Sequence, residues 1–98
     1  FKNTVFVIMA DHCASSAGES EVDIANYHIP AIIYNLPNVN AKSINKQASQ
    51  IDIFPTLFGY LNWTYTSNFY GKDINLFSPN DERALIGNYQ KLGLLKGN

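Results

Sequence analysis

One cysteine, Cys13, among 98 residues excludes an internal disulfide framework. Charge is also scarce. The 7 basic and 8 acidic residues make up 15% of the chain, leave a net charge of −1 and are scattered without blocks. That distribution gives no electrostatic footprint for nucleic acid or an anionic membrane surface. No apolar run approaches the ~18 residues of a membrane span, and no basic-then-apolar signal segment opens the chain. The piece itself is expected to be soluble. Apolar residues nonetheless reach 46%, a balance expected of a globular domain with much of its surface covered by neighbouring protein. The length allows one domain at most. A strand-like run starting almost at once after Phe1 reads as a portion of something larger.

Thr4 to Ala10, TVFVIMA, is apolar at both alternating positions and rich in β-branched and aromatic residues. This is the pattern of a strand buried on both faces of a parallel sheet. From Asp11 to Asn26 the pattern gives way to small and polar residues, which predicts a long surface loop. Pro30 to Leu36, PAIIYNL, is a second apolar run bounded by prolines, which strand ends tolerate. A turn follows, with one short extended piece near Ser43 and Ile44. Phe54, Leu57, Phe58 and Leu61 fall at i, i+3, i+4 and i+7 and predict a helix over about 52–61 whose apolar stripe packs on the sheet. Asp52 or Ser49 caps it, Pro55 lies in its first turn and Asn62 stops it. Residues 62–81 read as irregular and aromatic, with Gly71 as a tight turn. Arg83 to Tyr89 and Leu92 to Lys96 are expected to pair as a hairpin about Gln90 and Lys91. The fold class is therefore α/β: a partial, mostly parallel sheet with a flanking helix and a C-terminal hairpin.

The first strand ends on Asp11 and His12, a carboxylate and an imidazole suited to Zn²⁺ or Mn²⁺. Adjacent strand residues point to opposite faces, so the two reach one site only if the chain is already leaving the sheet. Ala14, Ser15, Ser16 and Gly18 allow that. A capped loop is the alternative reading of the same dipeptide. His28 precedes the second run, and a parallel arrangement places it at the sheet end opposite the Asp-His pair. By its residues alone it is either a functional imidazole or one bonded to backbone. Cys13 reads as an inert thiol, with no second histidine near it in sequence. Ser15 and Ser16 lack the Gly-x-Ser-x-Gly elbow of serine hydrolases. Asn62-Trp63-Thr64 matches the glycosylation acceptor pattern, which is common by chance.

Taken in order, MADHCASSAGES, YHIPAIIYNLP and SQIDIFPTLFGYLN resemble the C-terminal part of a sulfatase-type domain of the alkaline phosphatase superfamily. Within it they are most similar to the phosphoglycerol transferase and lipoteichoic acid synthase branch. The resemblance spans roughly residues 4–73 and implies that 1–98 is the C-terminal portion of one catalytic domain. It implies a bacterial parent anchored in the cell membrane, with that domain extracytoplasmic. There a threonine or serine attacks phosphorus in a phospholipid head group, and the group passes to a glycan or polyol acceptor. Asp11 and His12 then match late metal ligands for Mn²⁺ or Zn²⁺, or Ca²⁺ in an arylsulfatase-like member. His28 matches a substrate or second-metal contact. The nucleophile and an earlier acidic ligand match nothing in this chain, so the missing N-terminal half of the domain is the partner the resemblance requires. The piece alone is expected to be inactive, and its sheet edges would allow pairing with a second copy. Two alternatives stay open: a fragment of a sulfate-ester hydrolase, and a non-catalytic interaction module.

Overall fold

The computed structural model describes residues 1–13, 24–87 and 91–97. The first apolar run forms strand β1 (Phe6–Met9) and the second forms β2 (Ala31–Tyr34). They pair antiparallel, with Phe6 opposite Tyr34 and Met9 opposite Ala31. This corrects the parallel sheet expected from two uninterrupted apolar runs. Such runs report apolar surroundings on both faces and are silent about strand direction. Those faces are also less covered than expected, since Ile8, Ile32 and Tyr34 are more than half exposed. Ile24–Tyr27 makes a 3₁₀ turn that overlaps the end of the expected 11–26 loop. Residues 14–23 of that loop, including Ser15, Ser16 and Gly18, lie outside the described residues.

Helix α1 (Ile53–Tyr60) follows a 3₁₀ turn at Gln50–Asp52. Its end is a Schellman motif. Asn62 takes the left-handed conformation at φ 53°, its N–H donates to Gly59 O (3.2 Å) and Trp63 N–H donates to Phe58 O (3.0 Å). The expected apolar contact across such an end is the stacked Phe58–Trp63 pair, 5.3 Å between centroids. Asn62 thus stops the helix as its sequence position suggested.

The helix face that is buried differs from the expected stripe. Pro55, Thr56 and Leu57 are buried, whereas Phe54 is half exposed and Phe58 gathers Trp63, Tyr65 and Phe69 around it. The aromatic side of the helix therefore packs against the irregular segment after it rather than on the sheet. Among the described residues the buried apolar core is small, comprising Leu57, Ile74 and Phe77.

At its centre are two buried polar side chains, Asp52 and Thr56. Thr56 Oγ1 donates to Asp52 O (2.7 Å) and accepts from Ile74 N–H (2.9 Å). The Asp52 carboxylate makes no cap bond to α1 itself but closes, with Ser49, the capping box of the 3₁₀ turn that leads into it. That group turns back to accept from Ser49 N–H (2.8 Å), Lys72 N–H (2.9 Å) and both terminal nitrogens of Arg83 (2.7 and 2.9 Å). Four donors explain why a carboxylate can sit here with no exposure.

Arg83 opens the C-terminal hairpin, in which β3 (Arg83–Gly87) pairs antiparallel with β4 (Leu92–Lys96). The hairpin is as expected; residues 88–90 of its turn lie outside the described residues. It is fastened to the lead-in of α1 by further bonds. Gln47 N–H donates to Glu82 Oε2 (3.1 Å) and Leu85 N–H to Ser49 Oγ (2.9 Å).

Gly71 serves close approach rather than a tight turn. A Cβ there would fall 1.9 Å from Ile51 O and 2.5 Å from its carbonyl carbon, both backbone atoms that cannot step aside. Gly71→Ala is therefore expected to cost about 2–4 kcal/mol, in the upper range for single substitutions. It would also pull Lys72 N–H away from Asp52. Urea denaturation of the two proteins side by side checks this, and equal midpoints would refute it.

Candidate functional site

The end of β1 is where chemistry-bearing side chains collect. The ladder continues one step past Met9, since Ala10 N–H donates to Pro30 O at 3.4 Å. It then stops, and Asp11 and His12 leave the sheet in a bend. That bend removes the strand alternation which would have sent the two side chains apart.

His12 N–H donates to Asp11 Oδ1 at 3.0 Å. His12 Nδ1 lies 2.6 Å from Cys13 O. A carbonyl only accepts, so Nδ1 carries a hydrogen in this contact, and in the neutral ring Nε2 is then the nitrogen that keeps its lone pair. Nε2 and Asp11 Oδ2 are 3.6 Å apart, with the side chains 73% and 90% exposed. The separation is short enough for one ion with bonds of about 2.0–2.2 Å to touch both. A backbone-tied Nδ1 with a lone-pair Nε2 is also the arrangement metal-binding histidines adopt. The donor set thus fits a divalent cation such as Zn²⁺ or Mn²⁺, but supplies only two ligands. Among the described residues, no group of three or more His, Cys, Asp or Glu side chains is placed to hold an ion.

The antiparallel pairing also moves His28. A parallel sheet would have put it at the far end; instead β2 begins opposite the end of β1, with Ala31 facing Met9 and Pro30 facing Ala10. His28 thus lies at the same sheet end as Asp11 and His12, exposed, with its N–H bonded to Ala25 O at 3.4 Å. It also borders an open cleft of about 1080 Å³, whose other walls include Met9, Gln50, Ile53 and Ile86. Asp11 and His12 do not line that cleft.

One residue at this end escaped the reading of the sequence. Gln50 Nε2 donates to Ala10 O (2.9 Å) and Asp11 O (3.0 Å), tying the lead-in of α1 to the bend. Glutamine in a helix lead-in has no pattern that signals a partner forty positions upstream.

A family model described as Sulfatase matches residues 1–63, from the start of the chain through β1, β2 and α1. The chain belongs to the Sulfatase family. That places it in the alkaline phosphatase superfamily and agrees with a mixed α/β fragment of a sulfatase-type fold. No solved structure matches the chain significantly. For a sulfatase-type domain, the matched span holds the Asp11-His12 bend, His28 and the Gln50–Thr56 segment together. The hairpin that anchors Asp52 lies beyond it.

Proposed function

We propose that this sulfatase-family chain is the Asp-His-bearing portion of a metal-dependent transferase. In this reading it moves a phosphoglycerol-type group from a phospholipid head group to a glycan or polyol acceptor. The observation that carries the metal part is the 3.6 Å approach of Asp11 Oδ2 and His12 Nε2, with Nδ1 engaged by Cys13 O. Asp11 and His12 would hold the ion, Mn²⁺ or Zn²⁺. When bound, it supplies polarisation of the phosphoryl oxygens and a lowered pKa for the attacking hydroxyl. His28, at the same sheet end, offers an imidazole to the ester's leaving or non-bridging oxygens. The similarity of YHIPAIIYNLP and SQIDIFPTLFGYLN to the phosphoglycerol transferase branch supports phosphate over sulfate.

The remaining ligands and the nucleophile come from another part of the same domain in this reading. The half-exposed apolar faces of β1 and β2 support it, since Ile8, Ile32 and Tyr34 need cover. No helix among the described residues is long and apolar enough to cross a membrane. The membrane attachment and extracytoplasmic setting we propose would belong to the parent protein.

Sulfate-ester hydrolysis is the second reading, favoured by the family match itself. The two separate in one assay. The full-length protein, supplied with Mn²⁺, is expected to release diacylglycerol from a phosphatidylglycerol-type lipid and to leave an aryl sulfate intact. The reverse selectivity would overturn the transferase reading.

A further inference from the structure

We infer that Gln50 is the positioning residue for the Asp11-His12 pair, an assignment that rests on the metal reading above. Ala10 and Pro30 face one another in the antiparallel ladder, continuing the pairing of Met9 with Ala31. Such a pair normally exchanges two bonds, N–H to O in each direction. Ala10 N–H donates to Pro30 O, but proline has no N–H to return. The carbonyl of Ala10 is therefore left without its ladder donor one residue before the metal-binding pair.

Gln50 fills this gap. Its amide nitrogen reaches Ala10 O at 2.9 Å and Asp11 O at 3.0 Å. Both partners can only accept, so the amide orientation is fixed by chemistry and its two hydrogens are both used. These bonds hold the carbonyls on either side of the Asp11 Cα, which sets the direction in which the Asp11 carboxylate leaves the backbone. They also join the bend to a segment that is itself held firmly, because Ser49 and Asp52 on either side of Gln50 are bonded to Lys72, Arg83 and Leu85. Gln50 is exposed, so its contribution comes through these two bonds and not through core packing.

The test is a Mn²⁺ titration of the full-length protein, followed by ion-bound electron paramagnetic resonance, with thermal melting as a parallel readout. Gln50→Leu is expected to weaken Mn²⁺ binding about tenfold, the lower range for partners that orient a ligand, with little change in melting temperature. Ser49→Ala cuts the Leu85 tie without touching the bend. It is expected to lower the melting temperature and leave the Mn²⁺ affinity unchanged. Pro30→Ala in the Gln50→Leu background returns an N–H to Ala10 O and is expected to recover part of the affinity. Unchanged affinity in Gln50→Leu, or an equal loss in Ser49→Ala, would overturn the assignment. His12→Ala tests the metal site apart from Gln50: if it binds Mn²⁺ as well as the parent does, the metal reading itself falls, whatever Gln50 does.

Discussion

Asp52→Ala is expected to destabilise the domain by about 3–5 kcal/mol, the range for breaking a buried ion pair by removing one partner. Against a typical domain stability of about 5–15 kcal/mol, that leaves a protein near unfolding at growth temperature. Asp52 is fully buried and accepts from Ser49, Lys72 and both terminal nitrogens of Arg83. Alanine would orphan all four donors at once. Asp52→Asn keeps the shape and is expected to lose most of the same stability, because the Arg83 charge stays without a counter-ion. Asp52→Leu with Arg83→Met removes both charges and should recover part of it. Recovery would be incomplete because the N–H groups of Ser49 and Lys72 remain unpaired. Burial by itself would raise the Asp52 pKa. The hydrogen bonds from Arg83, Ser49 and Lys72, with the Arg83 charge, outweigh it and hold the carboxyl below its ordinary 3.8. A depressed folded-state pKa stabilises fully above the unfolded value and is lost as pH falls through the folded one. The parent should therefore lose stability below about pH 4, and Asp52→Asn should flatten that limb. Urea midpoints measured between pH 2.5 and 7 test both statements; an equal acid limb in the two proteins would refute the second.

That hub was only half legible in the sequence. The apolar runs, the helical spacing of 54–61 and the valine-free but strand-like ends of the C-terminal hairpin marked where the elements lie. Asn62 marked where the helix stops. Asp52 stood out as a cap because carboxylates at helix starts usually are caps. It does close a capping box with Ser49, but its further partners, Lys72 and Arg83, are separated from it by 20 and 31 positions, and no local pattern encodes such a pairing. Strand direction was hidden for a related reason. Side-chain alternation reports which faces are apolar, and both β1 and β2 are apolar on both, so the runs permit either direction. The error mattered for function, because direction decides which end of β2 adjoins the Asp-His bend and hence where His28 lies. Of the candidate site, the residue types were legible; the contact of His12 Nδ1 with Cys13 O and the tether from Gln50 depend on the three-dimensional fold.

His12→Ala and Asp11→Ala in the full-length protein are each expected to reduce Mn²⁺ affinity by more than about 100-fold, beyond what losing an outer partner costs a metal site. Ester turnover at limiting metal should fall with it. His12 carries two duties that alanine removes together: Nε2 as donor beside Asp11 Oδ2, and Nδ1 as the group bonded to Cys13 O. His12→Gln keeps a polar side chain but not an imidazole lone pair fixed by a bonded Nδ1, so it should bind nearly as poorly. Asp11→Asn retains an oxygen that can accept from His12 N–H, while losing the charge that attracts a divalent ion. It should fall between alanine and the parent. His28 supplies the contrast, since it shares the sheet end but sits across the ladder from the bend. His28→Ala is expected to leave Mn²⁺ affinity intact and to lower kcat/KM for the ester, which is how a substrate contact separates from a metal ligand. If His28→Ala instead loses the ion as fully as His12→Ala, the histidine belongs to the metal set, and the site is built from both strands rather than from the bend alone.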